Sequence, residues 1–151
     1  MKKIILILIM LCILTSVSFS QVLNQDNFQA VLESDKLIVI DFWADWCKYC
    51  KLLDLVIERL VVFNQRYNKD KIEWFKVDVD KNRKFLNNFR PFRGLPVVVF
   101  YRNGKEVNRI LGFQPFLKIQ DIINTLLKEE RKEKKDKDNC NGGICYPPEG
   151  Y

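Results

Sequence analysis

Residues 42–53 read FWADWCKYCKLL and place two cysteines three positions apart, directly after an apolar run. The residues before them, LIVID at 37–41, are apolar except for the last, which is typical of a strand buried on both faces. After Cys47 the apolar residues recur at helical spacing as far as Tyr67. Cys47 is therefore expected at the start of a helix that follows a buried strand, with Cys50 one turn further along.

This position favours a thiolate at Cys47. Unpaired amide hydrogens and the helix dipole stabilise an anion at a helix N-terminus, and the adjacent Lys48 adds positive charge. Cys50, one turn in, is expected to be more buried and less acidic. Cys47 is thus predicted to attack a disulfide and Cys50 to resolve the mixed disulfide. An inert bridge is the alternative, although a bridge over so short a loop restricts the unfolded chain little.

The composition excludes several classes of site. The chain has no histidine, which excludes serine–histidine and cysteine–histidine nucleophile pairs and any zinc site that needs imidazole. The formal charge is +6, and it falls to +4 if Lys2 and Lys3 are lost with a targeting segment at the start of the chain. No run of basic residues stands apart from acidic neighbours. Nucleic-acid binding is therefore not expected. The predicted thiol chemistry requires neither a metal nor a soluble cofactor.

The first twenty residues have the pattern of a targeting segment. Two lysines precede an apolar run at 4–14, and small residues flanking Phe19 follow it, which predicts a signal peptide over 1–20 cleaved before Gln21. We therefore expect an exported protein, in the periplasm or elsewhere outside the cytoplasm. An uncleaved anchor is the alternative, but the run is short against the roughly 20 apolar residues that span a bilayer. Cleavage removes Cys12 and leaves four of the five cysteines in two pairs, which fits an oxidising compartment.

Apolar periodicity divides the remaining chain into helices and strands. The predicted helices are 26–33, 47–67, 81–88 and 116–127, and the predicted strands are 37–42, 72–79, 97–101 and 106–111. The first helix is expected to be capped by Asp26, and Asn103-Gly104 suits a tight primed turn between the last two strands. A crossover helix makes the first two strands parallel. We therefore expect an α/β fold with a mixed central sheet flanked by helices on both faces.

Beyond this predicted domain at 21–127 the composition changes. Every residue of 128–138 is charged, which predicts a solvated helical extension or a linker. Residues 139–151 contain Gly-Gly and Pro-Pro and are predicted to be a flexible tail. Cys140 and Cys145 lie in that tail, and a second disulfide closes easily between them. This second disulfide is either structural or exchanges with the Cys47–Cys50 pair. Exchange within one chain requires that residues 128–138 do not form a stiff helix pointing outward.

Residues 41–51 resemble the active-site segment of the thioredoxin superfamily, particularly that of exported thiol:disulfide interchange proteins. Three further features follow in the family's order. Lys76 matches the lysine near the buried acid, Gly94-Leu95-Pro96 resembles the cis-proline loop, and Gly112 matches the glycine beside the substrate groove. The likeness covers about residues 28–127. The chain departs from the family in its extra tail and in Lys48-Tyr49, which stands where thioredoxins have Gly-Pro.

The resemblance implies a thioredoxin-like fold and assigns roles to individual residues. Asp41, if buried behind Cys50, has its pKa raised toward neutrality by desolvation and accepts the Cys50 proton through a water, with Lys76 tuning the charge. With a cis bond in the proline loop, the residues expected to bind substrate are Trp46, Leu95, Pro96 and Gly112.

The sequence as a whole predicts a monomeric protein-disulfide reductase that acts on disulfide-containing exported proteins and takes electrons from a membrane donor. The apolar Leu95 resembles the reducing members of the family, whereas Lys48 favours an oxidant, so an oxidant or isomerase is the first alternative. A metal-binding module built from four thiolates is the second, which an oxidising compartment disfavours. The third is a chaperone of the same fold, whose activity would survive Cys47→Ser.

Overall fold

The computed structural model describes residues 21–89, 94–138, 140–141 and 144–145; the predicted signal peptide and most of the predicted tail lie outside them. The strands of the main sheet are β1 (Gln21–Val22), β2 (Leu37–Trp43), β3 (Ile72–Asp78), β4 (Val97–Arg102) and β5 (Lys105–Leu111). The helices are α1 (Gln25–Leu32), α2 (Lys48–Tyr67), a 3₁₀ helix (Phe85–Phe89) and α3 (Phe116–Asp138).

The main sheet has the strand order β1-β3-β2-β4-β5. β2 is parallel to β3 and antiparallel to β4, which confirms the pairing expected from the crossover helix and the hairpin. Asn103 and Gly104 have φ values of 49° and 74°, as a primed turn requires. β1 is not among the predicted strands and pairs with only two residues of β3. The predicted α/β fold with a mixed sheet is confirmed.

Helices cover both faces of this sheet, because successive side chains of a strand point to opposite faces. Leu37 and Val39 of β2 pack with α2 and α3, whereas Ile38 and Ile40 pack with α1 and the 3₁₀ helix. Asp41 continues the row of Leu37 and Val39. It therefore lies on the α2 face of the sheet, at the end of β2 where α2 begins.

The cap of α1 differs from the one expected. Asn24, rather than Asp26, is the N-cap, and its side-chain oxygen accepts hydrogen bonds from the backbone N–H groups of Asp26 and Asn27 at 2.9 and 3.2 Å. The side chain of Asn27 accepts the Asn24 N–H in return at 2.9 Å. This reciprocal capping starts the helix one residue earlier than the pattern of apolar residues predicts.

The helix predicted at 81–88 is also different, because only a 3₁₀ helix at Phe85–Phe89 forms there. The carboxylate of Asp78 accepts hydrogen bonds from the backbone N–H groups of Asp80 and Lys81 at 3.0 and 3.2 Å. An aspartate that binds the backbone in this way stabilises a turn instead of a helix.

α3 continues without a break through the charged segment 128–138. Arg102, the last residue of β4, donates to the backbone carbonyl of Leu126 at 2.6 Å, which ties the middle of α3 to that end of the sheet. Beyond α3, β6 (Cys140–Asn141) pairs antiparallel with β7 (Ile144–Cys145), so the predicted flexible tail contains a small paired segment. None of the helices in the described part of the chain is both long and apolar enough to span a membrane.

Candidate active site

Cys47 and Cys50 lie where β2 leads into α2. Cys47 is the N-cap of α2 and is joined to Cys50 by a disulfide, with 5.2 Å between their Cα atoms. The Sγ of Cys47 accepts a hydrogen bond from the backbone N–H of Cys50 at 3.1 Å. After reduction, the same N–H and the helix dipole stabilise negative charge on the Cys47 sulfur.

The burial of the two cysteines does not differ as expected. Cys47 is 5% exposed and Cys50 is 4% exposed. The two cysteines differ in their place in the helix. The Cys47 sulfur, at the N-terminus, accepts a hydrogen bond, and the backbone N–H of Cys50, in the first turn, donates it. Lys48 and Tyr49 between them are exposed. The asymmetry of the pair is therefore electrostatic.

Asp41 is a buried carboxyl on the same side of the sheet as α2. It is 3% exposed, and its Oδ1 has no hydrogen-bond partner among the described residues. Desolvation raises the pKa of Asp41 from 3.8 to about 7; the positive charge of Lys76 opposes this increase and the negative charge of Asp54 adds to it. The carboxyl therefore gains and releases a proton close to neutral pH.

Lys76 is the register partner of Asp41 in the parallel pairing of β2 and β3. Its ammonium group, however, forms an ion pair with the carboxylate of Asp54 on α2 and lies 5.8 Å from the centroid of the Trp43 ring. Sequence reasoning missed Asp54. Its spacing of four residues from Cys50, which puts both on one face of α2, is the signal that could have identified it.

The predicted substrate-binding residues of the proline loop lie beside the disulfide. The bond between Leu95 and Pro96 is cis, and Leu95 packs against Cys47 and Cys50. Gly112 donates its backbone N–H to the carbonyl of Pro96 at 2.9 Å. Its φ of 77° lies in the left-handed region, which glycine adopts without steric cost. The structure thus brings these three residues together.

Trp46 immediately precedes Cys47 in the chain, and its side chain is largely in solvent, with 70% of the residue exposed. Its indole N–H donates to the carboxylate of Asp80 at 2.8 Å, which holds an otherwise exposed ring in place. Asp80 is a second residue that sequence reasoning missed, and no motif marks it. The neighbours of the site residues in the chain include further exposed apolar side chains, namely Tyr49, Leu111 and Phe113.

The second cysteine pair is not brought to this site. Cys140 and Cys145 are paired opposite each other between β6 and β7. β4 begins next to Pro96 and ends at Arg102, which contacts Leu126 of α3. The part of α3 after Leu126 continues past that far end of the sheet for roughly 18 Å at the rise of an α-helix.

The metal-binding alternative requires four free thiolates. Cys47 and Cys50 are instead joined to each other in this structure. Within the described residues, no three or more cysteine, aspartate or glutamate side chains are grouped so that they could hold a metal ion.

Comparison with known proteins finds similarity over the region that contains the main sheet and the Cys47–Cys50 disulfide. The family profile described as Thioredoxin matches residues 19–125. A thioredoxin of Malassezia sympodialis is 35% identical over 92 residues, covering 61% of this chain and 84% of that protein. A thioredoxin of Griffithsia pacifica is 32% identical over 111 residues, covering 74% and 94%. The crystal structure of the Malassezia sympodialis thioredoxin (Mala s 13) aligns with a TM-score of 0.63 at 34% identity, over 71% of this chain and 90% of that one.

Proposed function

Since this chain belongs to the thioredoxin family and is a thiol:disulfide oxidoreductase, we propose that it reduces disulfides of exported proteins. The observation that carries the proposal is the position of the Cys47 sulfur, which accepts the Cys50 N–H at the N-terminus of α2. The apolar Leu95, packed against the disulfide, supports the reducing direction because it resembles the reducing members of the family.

The reaction begins when the Cys47 thiolate attacks one sulfur of the substrate disulfide. A bond forms between the Cys47 Sγ and that sulfur, the substrate S–S bond breaks, and the other substrate sulfur leaves with the electron pair. Cys50 then loses its proton and attacks the Cys47 Sγ, which releases the second substrate sulfur as a thiolate. The Cys47–Cys50 disulfide seen in the structure is the product state.

Asp41 and Lys76 manage the proton of Cys50 in this proposal. A carboxyl with a pKa of about 7 is half-ionised at neutral pH, so it takes the proton of the Cys50 thiol and later returns it to solvent. The positive charge of Lys76, the register partner of Asp41, lowers the pKa of that carboxyl. Support comes from the burial of Asp41 and from its place on the α2 face of β2.

Substrate binds across the proline loop as an extended segment. Leu95, Pro96 and Gly112 provide the groove beside the disulfide, and the exposed ring of Trp46, the residue before Cys47, provides further apolar contact. An exposed apolar surface of this kind fits unfolded or partly folded proteins, whose apolar side chains are accessible.

The location of the protein and its electron donor also belong to the proposal. The charged start and apolar run of residues 1–20 support export from the cytoplasm. A reductase outside the cytoplasm needs a supply of electrons there, and a membrane protein that carries a dithiol provides one.

Expression of the full-length chain with Cys50→Ser in its native host tests the proposal directly. Mixed disulfides should accumulate at Cys47, because the resolving sulfur is missing, and should appear as conjugates that a reductant separates. Mass spectrometry should identify exported proteins in them and a mature N-terminus at Gln21. The Cys47→Ser/Cys50→Ser variant is the control and should yield no conjugates. Conjugates with cytoplasmic proteins alone would contradict export, whereas conjugates with exported proteins and an intact Met1 would contradict cleavage before Gln21 and favour the uncleaved anchor.

The midpoint potential of the Cys47–Cys50 pair decides the direction of electron flow. For a reductase we expect a value near the roughly −270 mV of thioredoxin, well below the roughly −120 mV of strongly oxidising members. Equilibration with glutathione or dithiothreitol buffers, followed by alkylation and mass measurement, gives this potential. A value above about −180 mV would favour the oxidant or isomerase instead.

A further inference from the structure

Asp54 is the ion-pair partner of Lys76, the cation that neighbours the proposed proton acceptor Asp41. It lies on α2, one turn after Cys50, and its carboxylate is ion-paired with the ammonium group of Lys76. The side chains of Lys76 and Asp54 are only 17% and 35% exposed, so solvent screens the pair incompletely. Lys76 is the register partner of Asp41, yet its charge is held by a residue of the helix above the sheet.

Each element packed around Asp41 contributes identifiable groups. β3 presents Lys76, α2 presents Asp54 and the cysteine pair, and β4 presents the apolar Val98 as register partner. The disulfide carries no charge, so Lys76 and Asp54 are the charged groups that act on Asp41 among the described residues. The negative charge of Asp54 acts twice, because it holds the ammonium group of Lys76 and also adds a like charge near the Asp41 carboxyl.

We propose that Asp54 is a positioning residue for disulfide exchange: by binding Lys76 it weakens the effect of that positive charge on Asp41, so that Asp41 remains able to accept the Cys50 proton at neutral pH. The inference rests on the proposed role of Asp41 in the function described above. Asp54 contacts neither sulfur in this role and acts only through Lys76 and through its own charge.

The step that Asp54 supports is the resolution of the mixed disulfide. The proton of the Cys50 thiol passes to the Asp41 carboxylate, and the Cys50 sulfur forms a bond with the Cys47 sulfur. The bond between Cys47 and substrate breaks, and its electron pair leaves on the substrate thiolate. The two electrons therefore come from the protein dithiol, and Asp54 is unchanged throughout. Without Asp54, Lys76 would stabilise the Asp41 carboxylate and make it a weaker base.

Titration of Asp41 in the oxidised protein measures this effect without interference from thiols. The carboxyl ¹³C chemical shift of Asp41 is followed against pH by NMR in the wild type and in Asp54→Asn, Lys76→Met and the double variant. We expect Asp54→Asn to lower the pKa of Asp41 by about one unit and Lys76→Met to raise it, because a free cation nearby favours the carboxylate. Asp54→Glu should restore the wild-type value.

Glu58→Gln is the matched control, because Glu58 is exposed one turn further along α2 and its replacement removes the same charge. It should leave the titration of Asp41 unchanged. An unchanged or raised pKa of Asp41 in Asp54→Asn would overturn the inference, as would an equal shift in Glu58→Gln.

The pH profile of disulfide reduction separates this inference from the proposed function on which it rests. Asp41→Asn should remove the transition near neutral pH, and Asp54→Asn should move it to lower pH. A profile that Asp41→Asn leaves unaltered would refute the proposed role of Asp41 itself. A profile that changes in Asp41→Asn but not in Asp54→Asn would refute the role of Asp54 alone.

Discussion

The buried carboxyl of Asp41 makes the stability of this protein depend on pH. Its pKa is raised in the folded protein, so between about pH 4 and about pH 7 the native state binds a proton that the unfolded chain has released. Stability therefore falls as pH rises through this window. The change in pKa from 3.8 to about 7 corresponds to as much as about 4 kcal/mol, which is a large share of the stability of a small domain.

Replacing Asp41 by Asn should remove this pH dependence. Relative to the wild type, the oxidised variant should become more stable by up to about 4 kcal/mol as the pH rises from about 4 to about 8, since it has no buried charge to form. Urea unfolding at several pH values measures the difference. Asp45→Asn removes an exposed carboxylate nearby and should follow the wild type. A difference between Asp41→Asn and the wild type that is constant with pH would contradict the raised pKa.

At the scale of elements, α2 and α3 are joined by a buried chain of amides as well as by apolar packing. Asn64 of α2 is 1% exposed and donates to the side-chain oxygen of Gln120 on α3 at 2.8 Å. Asn68 donates to Asn64 at 2.8 Å, and Gln120 donates to Asn124 at 3.0 Å. Because buried amides need hydrogen-bond partners, this network of side-chain amides fixes how the two helices lie against each other.

Asn64→Ala should lower the free energy of unfolding by about 1–3 kcal/mol, because it leaves the side-chain oxygen of Gln120 buried without its donor. Gln120→Ala should cost a similar amount, and the double variant should cost less than the sum of the two. Urea unfolding of the four proteins completes the cycle. Thr125→Ala, at an exposed position of α3, is the control, with an expected loss below about 0.5 kcal/mol. Strictly additive losses would show that the two amides do not act together.

At the scale of the whole molecule, the two cysteine pairs lie toward opposite ends. Cys47 is at the end of the sheet where β2 leads into α2, whereas Arg102 binds Leu126 at the other end and α3 continues beyond it. Because α3 is continuous through residue 138, it keeps the Cys140/Cys145 pair away from Cys47 and Cys50, and disulfide exchange between the two pairs of one chain is difficult. A disulfide between Cys140 and Cys145 fits their pairing, because residues directly opposite in antiparallel strands are within bridging distance.

The double replacement Cys140→Ser/Cys145→Ser should therefore leave the turnover of a protein disulfide unchanged. The disulfide itself is checked separately: the peptide from Asp138 to Tyr151 of the wild type should resist alkylation until it is reduced. Cys47→Ser is the matched reference and should abolish turnover. A marked loss of turnover in the double variant would show that the tail pair takes part in exchange after all.

The sequence by itself determined the fold class and the nature of the reactive pair. Apolar residues at periods of two and 3.6 define strands and helices locally, and the change of period at Cys47 predicts that this cysteine begins the helix. The signal peptide and the role of the tail pair stay predictions, because most of the residues concerned lie outside the described structure.

Tertiary structure alone decided which charges surround that pair. Lys76 meets Asp54 across 22 positions of sequence, and Trp46 meets Asp80 across 34. Local spacing carries no information about such partners, since they come together only in the folded chain. The equal burial of Cys47 and Cys50 depends in the same way on Trp43, Val79 and Leu95, which pack around them from separate parts of the chain. Burial and long-range charge set proton affinity, so the tuning of the site belongs to the folded molecule.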